Sequence, residues 1–170
     1  MKSSKTICTL LVMAMCSCTN GAAPEKQQEV NTQSEVQTIE TVHPVDYKTL
    51  TREPGTVFYD ITLEQALEKA KRDGKYVLID CHIKNCGPCK KMENEVFPRE
   101  DIGNFINERF VPIMVDIEEG EGPEIAEKYN VQIYPTYLAL LPNGVKEGEI
   151  VGAEFNIDIF VDMIKTIIHE

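Results

Sequence analysis

Residues 76–92, YVLIDCHIKNCGPCKKM, constrain the fold more than any other stretch. Tyr76 to Ile83 form an almost wholly apolar run, the pattern of a strand buried on both faces. Two cysteines follow at C-x-x-C spacing around Gly87 and Pro88. The segment from Cys86 to Phe97 then reads as a helix, stopped by Pro98. A buried strand feeding a helix through a short loop is a building block of an α/β fold.

The flanking segments repeat the alternation. Thr56–Ile61 is a short strand candidate. TLEQALEKAKRDG, residues 62–74, is a helix in which Thr62 and Gln65 make a capping box and Gly74 closes the end. Leu63, Ala66, Leu67 and Ala70 share one face of it. Residues 100–110 give a short helix. FVPIMVDI, residues 110–117, is a second buried strand, with Pro112 expected at its start or at a bulge. A helix enters through Pro123. TYLALL and EIVG, joined by Pro142-Asn143-Gly144, should form an antiparallel hairpin, and residues 156–170 an amphipathic terminal helix. The order β-α-β-α-α-β-α-β-β-α implies a central mixed sheet with helices on both faces.

The amino terminus is organised differently. Lys2 and Lys5 precede an apolar run from about Ile7 to Met15, the layout of an export signal. It ends in cysteines and lacks an A-x-A site, as in a bacterial lipoprotein signal. Ser17 precedes Cys18 whereas bulky Met15 precedes Cys16, which favours lipidation of Cys18, with Cys16 the runner-up and a plain cleaved signal the simpler alternative. The chain then divides into a signal at 1–17, a tether at 18–50 and a folded domain at 51–170. The tether is rich in Gln, Glu, Thr and Ser and poor in aromatics, so it cannot bury enough to order itself. It would reach on the order of 30 Å as a random coil. Formal charge is -11; losing Lys2 and Lys5 makes it -11 minus 2, or -13. Such acidity argues against nucleic acid as a partner.

The chemistry lies at Cys86 and Cys89. Unpaired N–H groups at the start of a helix stabilise a thiolate. The thiolate is the nucleophile of disulfide exchange. Spacing makes Cys86 the attacker, exposed at the helix end, and Cys89 the resolver tucked one turn behind. Pro88 lacks an N–H where that loss costs least and stiffens the loop. A zinc site would need two more ligands at metal spacing, and no second C-x-x-C or H-x-x-x-H follows. An inert structural disulfide is the other plain alternative. With Cys18 lipidated, Cys81, Cys86 and Cys89 remain as thiols, and Cys81 reads as a small buried hydrophobe. The sulfurs carry electrons themselves, so no cofactor is called for. The loop DIEEGEGPE reads as solvated and not as a calcium site.

Over roughly residues 57–168 the chain resembles the thioredoxin-like proteins. C-G-P-C carries the resemblance, and VQIYPTYLALLPNG is similar to the family's second motif, in which the proline is cis. The resemblance implies a thioredoxin-like fold. Pro135 would face the cysteine pair, and Tyr134 would offer backbone hydrogen bonds to a substrate strand, so that Tyr134, Pro135, Gly87 and Pro88 line the substrate site. It also implies that Asp80 is a buried acid serving Cys89 as proton acceptor, its pKa raised by burial. Met114 stands where many relatives have a lysine, Asn85 where they have a tryptophan, and His82 at another aromatic position; His82 is either a packed strand residue or a support for the thiolate.

CKKMENEVFPREDIGNF narrows the resemblance, through Met92, Glu93, Val96 and Phe97, to periplasmic domains like the C-terminal domain of transmembrane thiol–disulfide interchange reductases. That implies a thiol–disulfide oxidoreductase acting as a reductase on disulfide-containing envelope proteins outside the cytoplasm. Joined to the lipoprotein-like signal, it gives a membrane-anchored lipoprotein facing the periplasm of a bacterial envelope, and reduction there needs a membrane electron donor. An oxidase or isomerase, or a peptide-binding module without turnover, is the alternative.

Overall fold

The computed structural model describes residues 46–51 and 53–170. The signal, Cys18 with its lipid, and the tether up to residue 45 lie outside the described residues. The elements are α1 (Leu63–Asp73), β1 (Tyr76–His82), α2 (Gly87–Lys91) running into a π turn (Met92–Val96), α3 (Glu100–Arg109), β2 (Phe110–Asp116), α4 (Gly122–Tyr129), β3 (Thr136–Leu140), β4 (Lys146–Val151) and α5 (Ile157–Ile167).

The strands form one mixed sheet in the order β2-β1-β3-β4. β1 pairs parallel with β2 and antiparallel with β3, and β3 and β4 form the expected hairpin. Side chains alternate between the two faces. Leu78 and Tyr137 join the core against α2, α3 and α5, while Val77, Ile79, Cys81 and Leu138 join the core under α1 and α4. Asp80 therefore points to the α2 side and Cys81 away from it.

The capping predictions for α1 hold. Thr62 Oγ1 accepts from the Gln65 N–H, Gln65 reaches back to the Thr62 N–H, and Gly74 closes the helix in a left-handed conformation with φ 66°. Glu121, at the entry to α4, accepts the Leu63 N–H at 2.8 Å and couples the two helices on that face.

Three expectations are corrected. Thr56–Ile61 is not a strand: Tyr59 alone bridges to Ile113 on one side and Thr49 on the other. Tyr59 donates to the Pro112 carbonyl, and Pro112 has no N–H with which to extend the ladder. That bond also shows why Pro112 sits neither at the start of β2 nor at a bulge. It is the third residue of β2, opposite Leu78, and because its carbonyl points out to Tyr59 its nitrogen faces the sheet edge, where the missing N–H leaves the pairing with β1 intact. Lastly, the helix from Cys86 is α-helical only to Lys91. The Asn94 side-chain amide takes the Lys90 carbonyl at 2.7 Å, and the Phe97 N–H reaches back five residues to Met92, the signature of a π turn.

Phe97 ends this turn and centres the core on that face. Its ring meets Phe58, Tyr137 and Phe160 edge-on, at centroid distances of 5.0, 5.8 and 6.1 Å. Phe97→Ala should cost about 3–5 kcal/mol of unfolding free energy. Urea denaturation followed by circular dichroism measures it, and a loss below about 1 kcal/mol would contradict this packing.

Candidate active site

β1, paired along both edges, ends at His82, and the chain then turns. The Cys86 N–H closes the turn onto the Ile83 carbonyl at 3.2 Å. Cys86 is the N-cap of α2, and Gly87 and Pro88 open the helix. Cys86 and Cys89 form a disulfide with Cα atoms 5.2 Å apart. The Cys89 N–H donates to Cys86 Sγ at 3.1 Å. In the reduced protein the same N–H is placed to steady a thiolate at Cys86.

The exposure expected of Cys86 is corrected. Only 6% of its surface is open, against 1% for Cys89. The ordering is as read from the spacing, yet Cys86 as a whole is buried. The residues on either side of it in the chain, Asn85, Gly87 and Pro88, are exposed.

Thr136 pairs with Cys81, so Pro135 lies at the end of the sheet from which the Cys86 loop departs. The Tyr134–Pro135 bond is cis. The Pro135 carbonyl accepts from the Gly152 N–H at 2.8 Å, and Thr136 Oγ1 donates to the Ile133 carbonyl at 2.7 Å. Tyr134 is half-buried, and partial desolvation raises its pKa.

Asp80 is completely buried, and neither carboxylate oxygen has a hydrogen-bond partner among the described residues. Desolvation, reinforced by the charge of Glu93, pushes its pKa up to about 8. In register Asp80 lies between Met114 and Tyr137. Met114 offers no charge to offset the burial. The Tyr137 hydroxyl is buried without a partner among the described residues, and its pKa is raised by desolvation and then by Asp80. Cys81, on the other face, is a free buried thiol whose pKa desolvation pushes up to about 12. Burial thus favours its protonated form at neutral pH. His82 is half-buried, with Nδ1 3.4 Å from the Asp80 carbonyl oxygen.

Glu93 is the residue the sequence reading did not place in the site. It served there only as part of a motif, whereas the π turn brings its charge to bear on Asp80. The signal available was its position one turn past Cys89. Glu93 also lines a cavity of about 410 Å³, with Thr56, Phe58, Phe97 and Met114 on the other walls. Among the described residues no cluster of His, Cys, Asp and Glu suits a metal ion, and no helix is long and apolar enough to cross a membrane.

A family profile described as a thioredoxin-like domain matches residues 63–168, more than half of the chain. The chain belongs to this family. Thioredoxin-2 of Pyricularia oryzae is 35% identical to it over 95 residues, covering 56% of this chain and 52% of that protein. The thiol:disulfide interchange protein DsbD of Pseudomonas fluorescens is 30% identical over 90 residues, covering 52% of this chain and 15% of that protein. The chain thus spans about half the length of the first relative and a small part of the second. The solution structure of a candidate disulphide-isomerase from Bacteroides thetaiotaomicron aligns with a TM-score of 0.63 at 31% identity, covering 71% of this chain and 98% of that one. The thioredoxin-like fold accounts for the mixed sheet and its flanking helices.

The Asp80 pKa sets a pH dependence of stability. The folded value, about 8, lies above the ordinary 3.8, so the native state holds a proton that the unfolded chain has released. The stabilisation from this proton is complete below pH 4, declines between pH 4 and 8, and is absent above. Asp80→Asn should flatten that slope and stabilise the oxidised protein at pH 8–9 by on the order of a few kcal/mol relative to wild type. Denaturant midpoints from pH 4 to 9 test this; parallel curves for the two proteins would rule it out. Glu93→Gln should shift the wild-type decline to lower pH.

Proposed function

We propose that this protein is a thiol–disulfide oxidoreductase that reduces disulfides in other proteins outside the cytoplasm. The observation that carries the reading is the Cys86–Cys89 disulfide capping α2, with the Cys89 N–H directed at Cys86 Sγ. The relatives support it by their names, thioredoxin and thiol:disulfide interchange protein.

In the reduced protein the Cys86 thiolate attacks one sulfur of the partner disulfide. A mixed disulfide forms, and the partner's other sulfur leaves as a thiolate that takes a proton from water. Cys89 then gives its proton to Asp80 and attacks Cys86 Sγ. The Cys86–Cys89 disulfide closes, and the second partner sulfur departs as a thiolate that takes a proton from water. Two electrons pass from the dithiol to the partner. Pro135 and the Tyr134 backbone would hold the partner strand, with Gly87 and Pro88 beneath it. With a pKa of about 8, Asp80 is about one-tenth ionised at pH 7, so resolution should quicken up to pH 8 and then level off.

The amino-terminal features support an envelope location. A lipid on Cys18 and the tether would hold the domain near a membrane, facing the periplasm, where disulfide-containing envelope proteins are the substrates and a membrane donor returns the electrons. An oxidase or isomerase is separated from a reductase by the reduction potential, and a potential near that of strong oxidants, about -120 mV, would exclude the reductase reading.

Cys89→Ala should trap mixed disulfides through Cys86 with envelope proteins, resolved by diagonal electrophoresis. Cys86→Ala should trap none, and equal trapping by both variants would reverse the assigned roles. Asp80→Asn should leave capture by the Cys89→Ala protein intact yet slow release from the otherwise unaltered pair by about 10²-fold. Equal slowing of both steps would remove Asp80 from the proton transfer.

A further inference from the structure

Phe155 is a large aromatic side chain left 40% exposed between β4 and α5. The strand end just before it is tied to the active site, because the Gly152 N–H donates to the Pro135 carbonyl at 2.8 Å. On its other side Lys91 Nζ lies 4.1 Å from the ring centroid. Lys91 ends α2, two residues beyond Cys89. The ring thus links the helix that carries the cysteines to the segment bonded to Pro135. Ile133 and Val151, next to Tyr134 and Gly152 in the chain, are exposed as well.

Charge is distributed unevenly around this end of the molecule. Lys90 and Lys91 are consecutive and exposed. Among the described residues Lys90 has no ion-pair partner, and Lys91 only a loose one, Glu95 at 3.8 Å. On the opposite flank lies the acidic 116–121 loop, fixed by the Ile117 N–H on the His82 carbonyl at 3.0 Å and by the Lys84–Glu119 ion pair. The α2 flank therefore carries two exposed lysines beside an aromatic ring, with Glu95 loosely paired to Lys91 and the Glu154 carboxylate taken up by the Asn156 N–H, while the other flank is an acidic loop, within a chain of formal charge -11.

We propose that Phe155 and Lys91 form a docking shelf that selects partner segments presenting an apolar side chain beside a carboxylate, next to the cysteine under attack. The apolar group packs on the open part of the Phe155 ring, and the carboxylate pairs with Lys91 and Lys90. Asn85, immediately before Cys86, offers no flat apolar surface, whereas Phe155 exposes an aromatic ring beside the helix that carries the cysteines. The shelf rests on the exchange reading above and adds to it the chemistry of the partner.

The net charge of the protein makes the test sharp. Long-range attraction to an acidic protein would favour basic peptides, whereas the shelf favours acidic ones. The full reduced chain is mixed with three disulfide-linked peptides sharing a Leu-Cys core, flanked by Glu, Gln or Lys, and second-order rates are recorded at about 20 mM and about 0.5 M salt. The expected order at low salt is Glu, then Gln, then Lys, with roughly two- to fivefold per step, shrinking at high salt. Lys91→Glu should invert the order. Phe155→Ala should slow the Glu peptide about tenfold and cut its advantage over a peptide with Ser in place of Leu. A wild-type order led by Lys, or rates within about twofold across peptides and variants, overturns the shelf. Hydroxyethyl disulfide separates the two failures. Exchange with it but no peptide selectivity removes the shelf alone, and no exchange with any disulfide removes the reading on which the shelf rests.

Discussion

Strand β1 is hydrogen-bonded along both edges and covered on both faces, and the site depends on that. A strand so enclosed gives its side chains no route to water except at its end. Asp80 is in the enclosed part, so its charge is disfavoured by lost hydration. His82 is at the end, and the chain beyond it has to turn into α2, which brings Cys86 to a helix start. One constraint thus produces both the acid with a raised pKa and the sulfur beside a row of backbone N–H groups.

The α2 side of the sheet carries an unusual load of polar atoms without partners. The Asp80 carboxylate, the Tyr137 hydroxyl and Thr56 Oγ1 are all buried and unpaired among the described residues. Each such group costs stability, and Asp80 escapes most of the cost by keeping its proton at neutral pH. The aromatic packing around Phe97 works in the opposite direction on the same face. Stability and proton chemistry are therefore coupled there: the contacts that keep water from Asp80 also hold α2 against the sheet.

Much of the architecture was legible in the residues. Thr62, Gln65 and Gly74 fixed both ends of α1 because capping is decided by side chains a few positions apart. Pro142-Asn143-Gly144 marked the hairpin for the same reason. The spacing of Cys86 and Cys89 revealed their pairing. The misreadings have non-local causes. Thr56–Ile61 has the composition of a strand, but its only sheet neighbour is an edge interrupted by Pro112. In the π turn the Lys90 carbonyl is taken by the Asn94 side chain, a contact that spacing alone does not announce. The burial of Cys86 is set by tertiary packing, which the spacing of the cysteines does not encode.

By itself the sequence determined the order of elements, the cysteine pair at a strand-to-helix junction and the identity of the residue before the second proline motif, since these depend on neighbours within about a turn of chain. Only the tertiary structure decided how far Asp80 is buried, that Glu93 acts on it, and that Phe155 lies between Lys91 and the segment bonded to Pro135. Those facts concern residues far apart in the chain. They are set by sheet register and helix packing, and desolvation and electrostatic coupling depend on distance in space.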